Sequence, residues 1–353
     1  MKELMLLGSD EAHLELLARI AAKPLTGVQV SLIAPYPHHF CAGMLAGFVA
    51  GHRALEDCLV PLEPLLKKAG ARWLGQRVAA LQVEASAVRL DDGSTFGFSW
   101  LSIDTGPLQD RRQIEARLPG AREHGLFVYP LEAFAALWLR VTELGATRAL
   151  RIAILGASTT SLELAMAIRQ RLPGSSITLV APGAALAADY PPADQAKVIK
   201  ALKQRAITLL SDVAVGIQAD QVLLGSGARL ACDVPVIAFG AKAPAWLDGG
   251  GLTLEQNGSV AVDAWQRSIS HPWVFAAAGV DTRSNNALAR NLLAALTGSQ
   301  TLQPTRSATT LKFLSFGDQR SLLRWGNWSA QGRSVAWLQD RLNQRCIQRY
   351  RKD

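Results

Sequence analysis

Two short stretches of this chain carry residue types at a spacing that could bind an anion. A strand, a glycine-rich turn and a helix make such a site, because the first N–H groups of the helix point at a diphosphate and glycines let the backbone approach it. The pattern G-x-G-x-x-G falls first on Gly8, Ser9, Asp10, Glu11, Ala12 and His13, keeping only its first glycine. It falls again on Gly156, Ala157, Ser158, Thr159, Thr160 and Ser161. Serine in the second turn is small enough for the bend, and its hydroxyl can donate to phosphate. In the first turn Asp10 would set a carboxylate close to a diphosphate, and like charges repel strongly in a dry site. Neither second strand ends in the Asp or Glu that usually binds a ribose 2′-hydroxyl; Ala34 and Ala181 stand there instead.

Thiols and imidazoles are the other candidates for chemistry. Cys41 follows the second strand and heads toward a helix, where a helix N-terminus would lower its pKa and favour thiolate. That redox role stands against a small hydrophobe packed in the core. The four cysteines, Cys41, Cys58, Cys232 and Cys346, contain no C-x-x-C pair. They suit neither a disulfide framework nor a tetrahedral zinc site. His38 and His39, with His52 nearby, read as a chance cluster beside a turn, and no metal is expected. Glu11 and His13 read as helix-start residues, with His13 a packing replacement for glycine.

The elements that must position these residues follow from hydrophobic periodicity. Leu4–Leu7 is a short apolar run, Ala12, Leu14, Leu16, Leu17 and Ile20 have mixed helical spacing, and Val28–Ile33 is a second apolar run. That is the βαβ opening of a doubly wound sheet. The same order returns in RIAILG, TTSLELAMAIRQRL and SSITLVAP from Arg151 to Pro182. Two such openings in one chain imply two nucleotide-type domains. After each opening comes a meander, around Val78–Leu90 with the Asp92-Gly93 turn and around Val213–Cys232. Each half then has a buried strand ending in glycine, LSIDTG and VPVIAFG. WVFAAAGVD and NNALARNLLAAL read as a last strand and helix returning to the first domain. From Ser329 onward, Val335, Leu338, Leu342 and Cys346 share one face of an amphipathic basic helix.

The order of these pieces resembles the pyridine nucleotide-disulfide oxidoreductase superfamily. Gly8, Thr105-Gly106, Gly156 with Glu163, Phe239-Gly240 and VFAAAGVD occur in the expected sequence. More specifically, the chain resembles the type II NADH dehydrogenase-like flavoprotein module found fused to selenide, water dikinase. The segments carrying this are AGMLAGFVAGH from Ala42, AKAPAWLDGGGLTLEQNGSVAVDAWQRSISHPWVFAAAG from Ala241, and LKFLSFGDQRSLLRWGNWSAQGRSVAWLQDRLNQR from Leu311. The resemblance implies two nested Rossmann-like domains, with FAD in the first, NAD(P)H in the second, and hydride passing from nicotinamide to flavin. It implies Gly8, Ser9, Asp10, His13, Thr105, Gly106, Gly279 and Asp281 around FAD, with Asp281 one residue out of register from the family's aspartate. It also implies that the segment after Cys41 and the helix near Asn286 face the flavin. Gly156, Ala157, Ser158, Glu163 and Gly240 would border NAD(P)H. The expected division is 1–112 with 253–325 as the FAD-type domain, 113–252 as the NAD(P)H-type domain, and 326–353 as the basic helix. A degenerate relative that keeps the fold to bind a ligand or partner is the alternative.

With 353 residues, 49% of them hydrophobic, the chain can build two or three cored domains, which excludes disorder as its main state. No stretch approaches the roughly 18 uninterrupted apolar residues of a membrane span. The expected location is cytoplasmic, with peripheral contact at the inner face of the membrane left open, and a homodimer is one option for assembly. The net charge of +8 is concentrated at the end, where Arg320, Arg324, Arg333, Arg341, Arg345, Arg349, Arg351 and Lys352 face only Asp340 and Asp353. Such an end can be a solvated face, a membrane-surface anchor or a dock for an acidic protein partner. It carries no recognised nucleic-acid motif, so no nucleic-acid partner is expected. The substrate side is a small-molecule electron acceptor.

Overall fold

The computed structural model describes residues 2–183, 186–188, 190–277, 282–299, 304 and 311–351. Gly279 and Asp281 lie outside the described residues, as do Lys352 and Asp353.

Two parallel five-stranded sheets form the frame, as the paired βαβ openings require. The first runs Val274–Ala276, Trp100–Ile103, Lys2–Leu7, Val28–Ile33, Arg72–Leu74. The second runs Leu126–Phe127, Val234–Ile237, Arg151–Leu155, Ser176–Val180, Thr208–Leu210. Each sheet grows one way from its opening strand and then reverses to the other side. The reversal sets Lys2–Leu7 beside Trp100–Ile103, and Arg151–Leu155 beside Val234–Ile237. In open parallel sheets the crevice at the carboxyl ends of such a strand pair is where ligands bind. Both glycine turns open there.

The helices seat against these sheets because their apolar faces match. Helix Glu11–Ala22 buries Leu14, Leu16, Leu17 and Ile20, and helix Thr159–Arg171 buries Leu162, Leu164, Ala165 and Ile168. Three-stranded antiparallel meanders cover the outer parts, Val78–Gln82 with Ala87–Leu90 and Thr95–Gly97, and Ala214–Gln218 with Gln221–Leu224 and Arg229–Ala231. The Val274–Ala276 strand and the helix Thr282–Leu296 return the chain to the first sheet, where the helix packs against Glu11–Ala22.

The C-terminal part departs from the expected helix that starts at Ser329. Leu311–Ser315, Ser321–Trp325 and Trp328–Gly332 form an antiparallel sheet, and the helix begins only at Arg333 and runs to Arg351. A two-residue Gly326-Asn327 turn folds the chain between paired Trp325 and Trp328, so Ser329–Gly332 pairs as strand. The helix is no free tail. It buries Val335, Ile347 and Tyr350 and leaves Leu342 exposed. Arg349 and Tyr350 bind the buried Glu15, Asn343 donates to the Gly43 carbonyl at 2.7 Å, and Arg53 pairs with Asp340.

The expected basic patch is thereby thinned. Arg320 pairs with Asp318, Arg324 with Asp194, Arg349 with Glu15, and Arg351 donates to the Leu59 carbonyl. Arg333, Arg341 and Arg345 make no ion pair among the described residues.

Candidate active site

The first turn is built on a backbone that only glycine can supply. Gly8 sits at φ +91°, and a Cβ there would drive into the Asp104 carbonyl. The end of Lys2–Leu7 thus presses against the end of Trp100–Ile103, where Asp104, Thr105 and Gly106 follow. His13 fills the space that a glycine would leave. Its ring is fully buried, with Nδ1 at 2.6 Å from the Gly8 carbonyl and Nε2 at 2.9 Å from the Ser102 hydroxyl. A carbonyl can only accept, so Nδ1 carries the proton and Nε2 accepts from Ser102. Burial holds this imidazole down at about 4, hence neutral.

The first amides of helix Glu11–Ala22 are already engaged by the protein's own carboxylates. Asp10 Oδ1 accepts from the Glu11 N–H at 2.8 Å. Asp104 accepts from the Ala12 and His13 N–H groups, the latter at 3.1 Å. Burial and the neighbouring Asp10 push the Asp104 carboxyl well above the usual range, and burial with Asp10 does the same to Glu11. Asn285 Nδ2 donates to Glu11 Oε2 at 3.2 Å, so the returning helix does reach this mouth. His39 is 6% exposed, and its Nε2 points at Asp10 Oδ1 from 3.7 Å with no hydrogen-bond partner among the described residues.

The second turn is different in kind. Gly156, at φ +136°, would bring a Cβ to 2.9 Å from Ser161 Oγ and 3.0 Å from the Ala238 carbonyl. Ser158 caps helix Thr159–Arg171 by accepting from the Ser161 N–H at 3.3 Å, and the hydroxyls of Ser158 and Ser161 each donate to the Ala238 carbonyl. The two serines thus stitch the helix start to the neighbouring strand end, near Gly240. The Thr159 and Thr160 amides have no partner among the described residues. An anion would find two free N–H groups and the positive end of the helix dipole here.

Tyr129 reaches the second turn. Its hydroxyl lies 3.3 Å from Thr160 Oγ1, and after burial the charges that raise it are those of Glu163 and Asp10. Glu163 is partly buried; it accepts from the Ser315 N–H at 2.7 Å, and desolvation pushes its carboxyl up to about 7. It therefore links the second helix to the C-terminal sheet.

Cys41 does not have the environment expected of a thiolate. It heads only the three-residue turn Ala42–Met44, is buried, and burial followed by Cys346, Glu11 and Asp10 pushes its thiol up. A turn of three residues gives little compensating field. His52 donates to the Gly317 carbonyl at 2.8 Å. Sequence reasoning missed Asp104 and His39 as parts of the first turn. The acid inside LSIDTG was a visible signal for Asp104; for His39 there was none.

The family model for pyridine nucleotide-disulphide oxidoreductases matches residues 18–294, most of the chain. The chain belongs to this family. As a pyridine nucleotide-disulphide oxidoreductase it is also similar to an NADH dehydrogenase-like protein of Mycobacterium tuberculosis, 24% identical over 240 residues. That match spans 64% of this chain and only 59% of the relative. Among solved structures, NDH2 from Plasmodium falciparum in complex with NADH superposes with a TM-score of 0.79 at 11% identity, covering 99% of this chain and 96% of that one. The sulfide:quinone oxidoreductase of Aquifex aeolicus gives 0.77 at 14% identity, covering 99% and 92%. At such identities the likeness carries the fold. No helix among the described residues is long and apolar enough to cross a membrane.

Proposed function

We propose that this oxidoreductase is FAD-dependent and takes hydride from NAD(P)H, passing electrons to a small acceptor such as a quinone or a selenium or sulfur compound. The observation that carries this is the second turn, where Thr159 and Thr160 offer amides with no partner among the described residues, beside Gly156 at the carboxyl edge of a parallel sheet. Gly156, Ala157, Ser158 and Gly240 would hold the nicotinamide dinucleotide, with Glu163 at its inner edge. Gly8, Ser9, Thr105, Gly106, Gly279 and Asp281 would hold FAD. The domain division that goes with this is 1–112 with 253–325 for FAD and 113–252 for NAD(P)H.

The second turn fits a diphosphate as it stands. The backbone of the first fits one too, but Asp10 occupies the Glu11 amide, and a diphosphate needs Asp10 to leave. Bound flavin supplies a two-electron carrier for the hydride, so no acid or base side chain is required for that step. The chain's own residues position and exclude. His13 and Ser102 lock the first turn, Ser158 and Ser161 lock the second, and the Tyr129 hydroxyl lies against Thr160 of the second.

A peripheral membrane contact accompanies this proposal. Leu311, Trp325 and Trp328 form one row across the C-terminal sheet and are 43%, 58% and 57% exposed. Trp337 is exposed under Arg341, on the helix that also carries Arg333 and Arg345, which make no ion pair among the described residues. Tryptophan beside arginine suits a lipid interface, where a quinone would be met from the cytoplasmic side.

A second reading, a non-catalytic relative that keeps the fold for a ligand or partner, is favoured by one observation: Asp10 and Asp104 together hold the first three amides of the flavin-side helix. An absorption spectrum with added FAD separates the two. Flavin bands that bleach anaerobically with NADH or NADPH support the oxidoreductase; a colourless protein at saturating FAD supports the second reading.

A further inference from the structure

We propose that Asp10 and His39 form a latch over the flavin diphosphate cradle: Asp10 closes it on the Glu11 amide, and pairing with a protonated His39 opens it. The inference rests on the reading that FAD binds at the first turn, and it adds how occupancy of that turn is controlled.

The geometry supplies both positions of the latch. In the closed position Asp10 Oδ1 accepts from Glu11 N at 2.8 Å, occupying the first amide a diphosphate would use. The same oxygen lies 3.7 Å from His39 Nε2, a buried ring nitrogen with no hydrogen-bond partner among the described residues. A buried polar atom without a partner is costly, and a shift of under an ångström would satisfy it. Asp10 retains about a third of its side-chain exposure, at 30%, so it has room to turn. Once Asp10 leaves Glu11 N, that amide faces the crevice, while Asp104 keeps the Ala12 and His13 amides and holds the helix start in place.

The charges around the pair decide the sign of the pH effect. From the first helix come Asp10, Glu11 and His13, and from the end of the Trp100–Ile103 strand comes Asp104. Cys41 follows the strand of His39, Tyr129 and Glu132 come from the link into the second domain, and Cys346 comes from the C-terminal helix. Four carboxyl groups, Asp10, Glu11, Asp104 and Glu132, stand in this set against one cation, Arg349 beside Cys346, so an arriving diphosphate adds negative charge where acidic groups outnumber basic ones. A proton taken up on binding would offset that charge, and His39 Nε2, 3.7 Å from Asp10 Oδ1, is placed to hold it beside Asp10. Flavin affinity therefore rises as pH falls.

Isothermal titration of the full chain with FAD, and separately with ADP, tests this at pH 6 and pH 8 in two buffers of different ionisation enthalpy. The expected result is uptake of up to one proton per ligand and a Kd that tightens by up to about tenfold per pH unit on acidification. Asp10→Gly, with Asp10→Asn as its conservative companion, binds tightly at both pH values with a flattened slope. His39→Gln loses the pH dependence while circular dichroism shows it folded. A Kd for wild type that is independent of pH, with no buffer dependence of the heat, overturns the latch and leaves the flavin reading standing. Full pH dependence in His39→Gln overturns the role of His39. If neither wild type nor Asp10→Gly binds FAD at pH 6, the flavin reading fails and the proposal fails with it.

Discussion

The Asp104 carboxylate accepts from the His13 amide at 3.1 Å across 91 positions of sequence. This bond fastens the end of one strand to the start of the helix that follows its neighbour. The contact is buried, so removing the acceptor takes away the Asp104 bond to the Ala12 N–H and leaves the His13 N–H with only the Asp10 carbonyl, at 3.0 Å. Asp104→Ala is expected to destabilise the chain by about 1–3 kcal/mol, and Asp104→Asn, which keeps an acceptor oxygen, by less. Urea denaturation followed by circular dichroism checks the ranking; equal losses in both variants would show that the amides do not depend on this side chain.

His13 sets an acid limb to stability. Its folded value of about 4 lies below the unfolded value of 6.5, so the stability it supports is present above pH 6.5 and is lost as pH falls toward 4. Wild type is expected to weaken across that window, and His13→Gln, which cannot titrate, to show a shallower slope. The measurement is the urea midpoint at pH 7, 5.5 and 4.5.

Glu163 acts in the opposite direction. Its carboxyl rises from 4.5 in the unfolded chain to about 7 in the folded one, so its contribution is full below pH 4.5 and is lost as pH rises through 7. That loss is expected to reach about 1–3 kcal/mol between pH 5 and pH 8. Glu163→Gln should remove it, flattening the difference between denaturation midpoints at those two pH values.

Cys41 should be a poor nucleophile. With its thiol pushed up by burial and nearby acids, labelling by iodoacetamide at pH 8 is expected to be at least tenfold slower than that of a free cysteine. Cys41→Ser should leave nicotinamide-driven flavin reduction within about twofold, because hydride transfer to a flavin needs no thiol. Rapid labelling, or a loss of reduction beyond tenfold, would restore a redox role to this residue.

The exposed row of the C-terminal sheet can be tested with lipid. Replacing Trp325 and Trp328 together by serine is expected to lower sedimentation with anionic vesicles at least fivefold, and high salt to lower it further by screening Arg333, Arg341 and Arg345. Both residues are more than half exposed, so the fold should survive unchanged.

Much of the architecture was legible in the chain because it is written in periodicity. Leu4–Leu7 and Ile152–Leu155 read as strands since each is a short apolar run before a glycine, and both are buried centre strands. The repeat of strand, turn and helix fixed two parallel sheets, and the family followed from the order of Gly8, Thr105-Gly106, Gly156 and Gly240. The hairpin Ser321–Gly332 was misread as helix beyond Ser329, because Val335 and Leu338 supply helical spacing while the Gly326-Asn327 turn is only two residues long.

Tertiary structure alone decided the character of the two turns. In sequence both look like damaged copies of one fingerprint, and Asp10 looked like the graver fault. The fold shows that Ser158 leaves two amides open in the second turn, whereas Asp10 and Asp104 close three in the first. That difference depends on Asp104, which reaches the helix only because Trp100–Ile103 lies beside Lys2–Leu7. It depends equally on His39, brought to Asp10 by the turn of the chain after the second strand. Local propensity governs strands and helices within a few residues, so sequence carries them. Which charges share a desolvated crevice is set by contacts between distant segments, and only the packed fold holds that information.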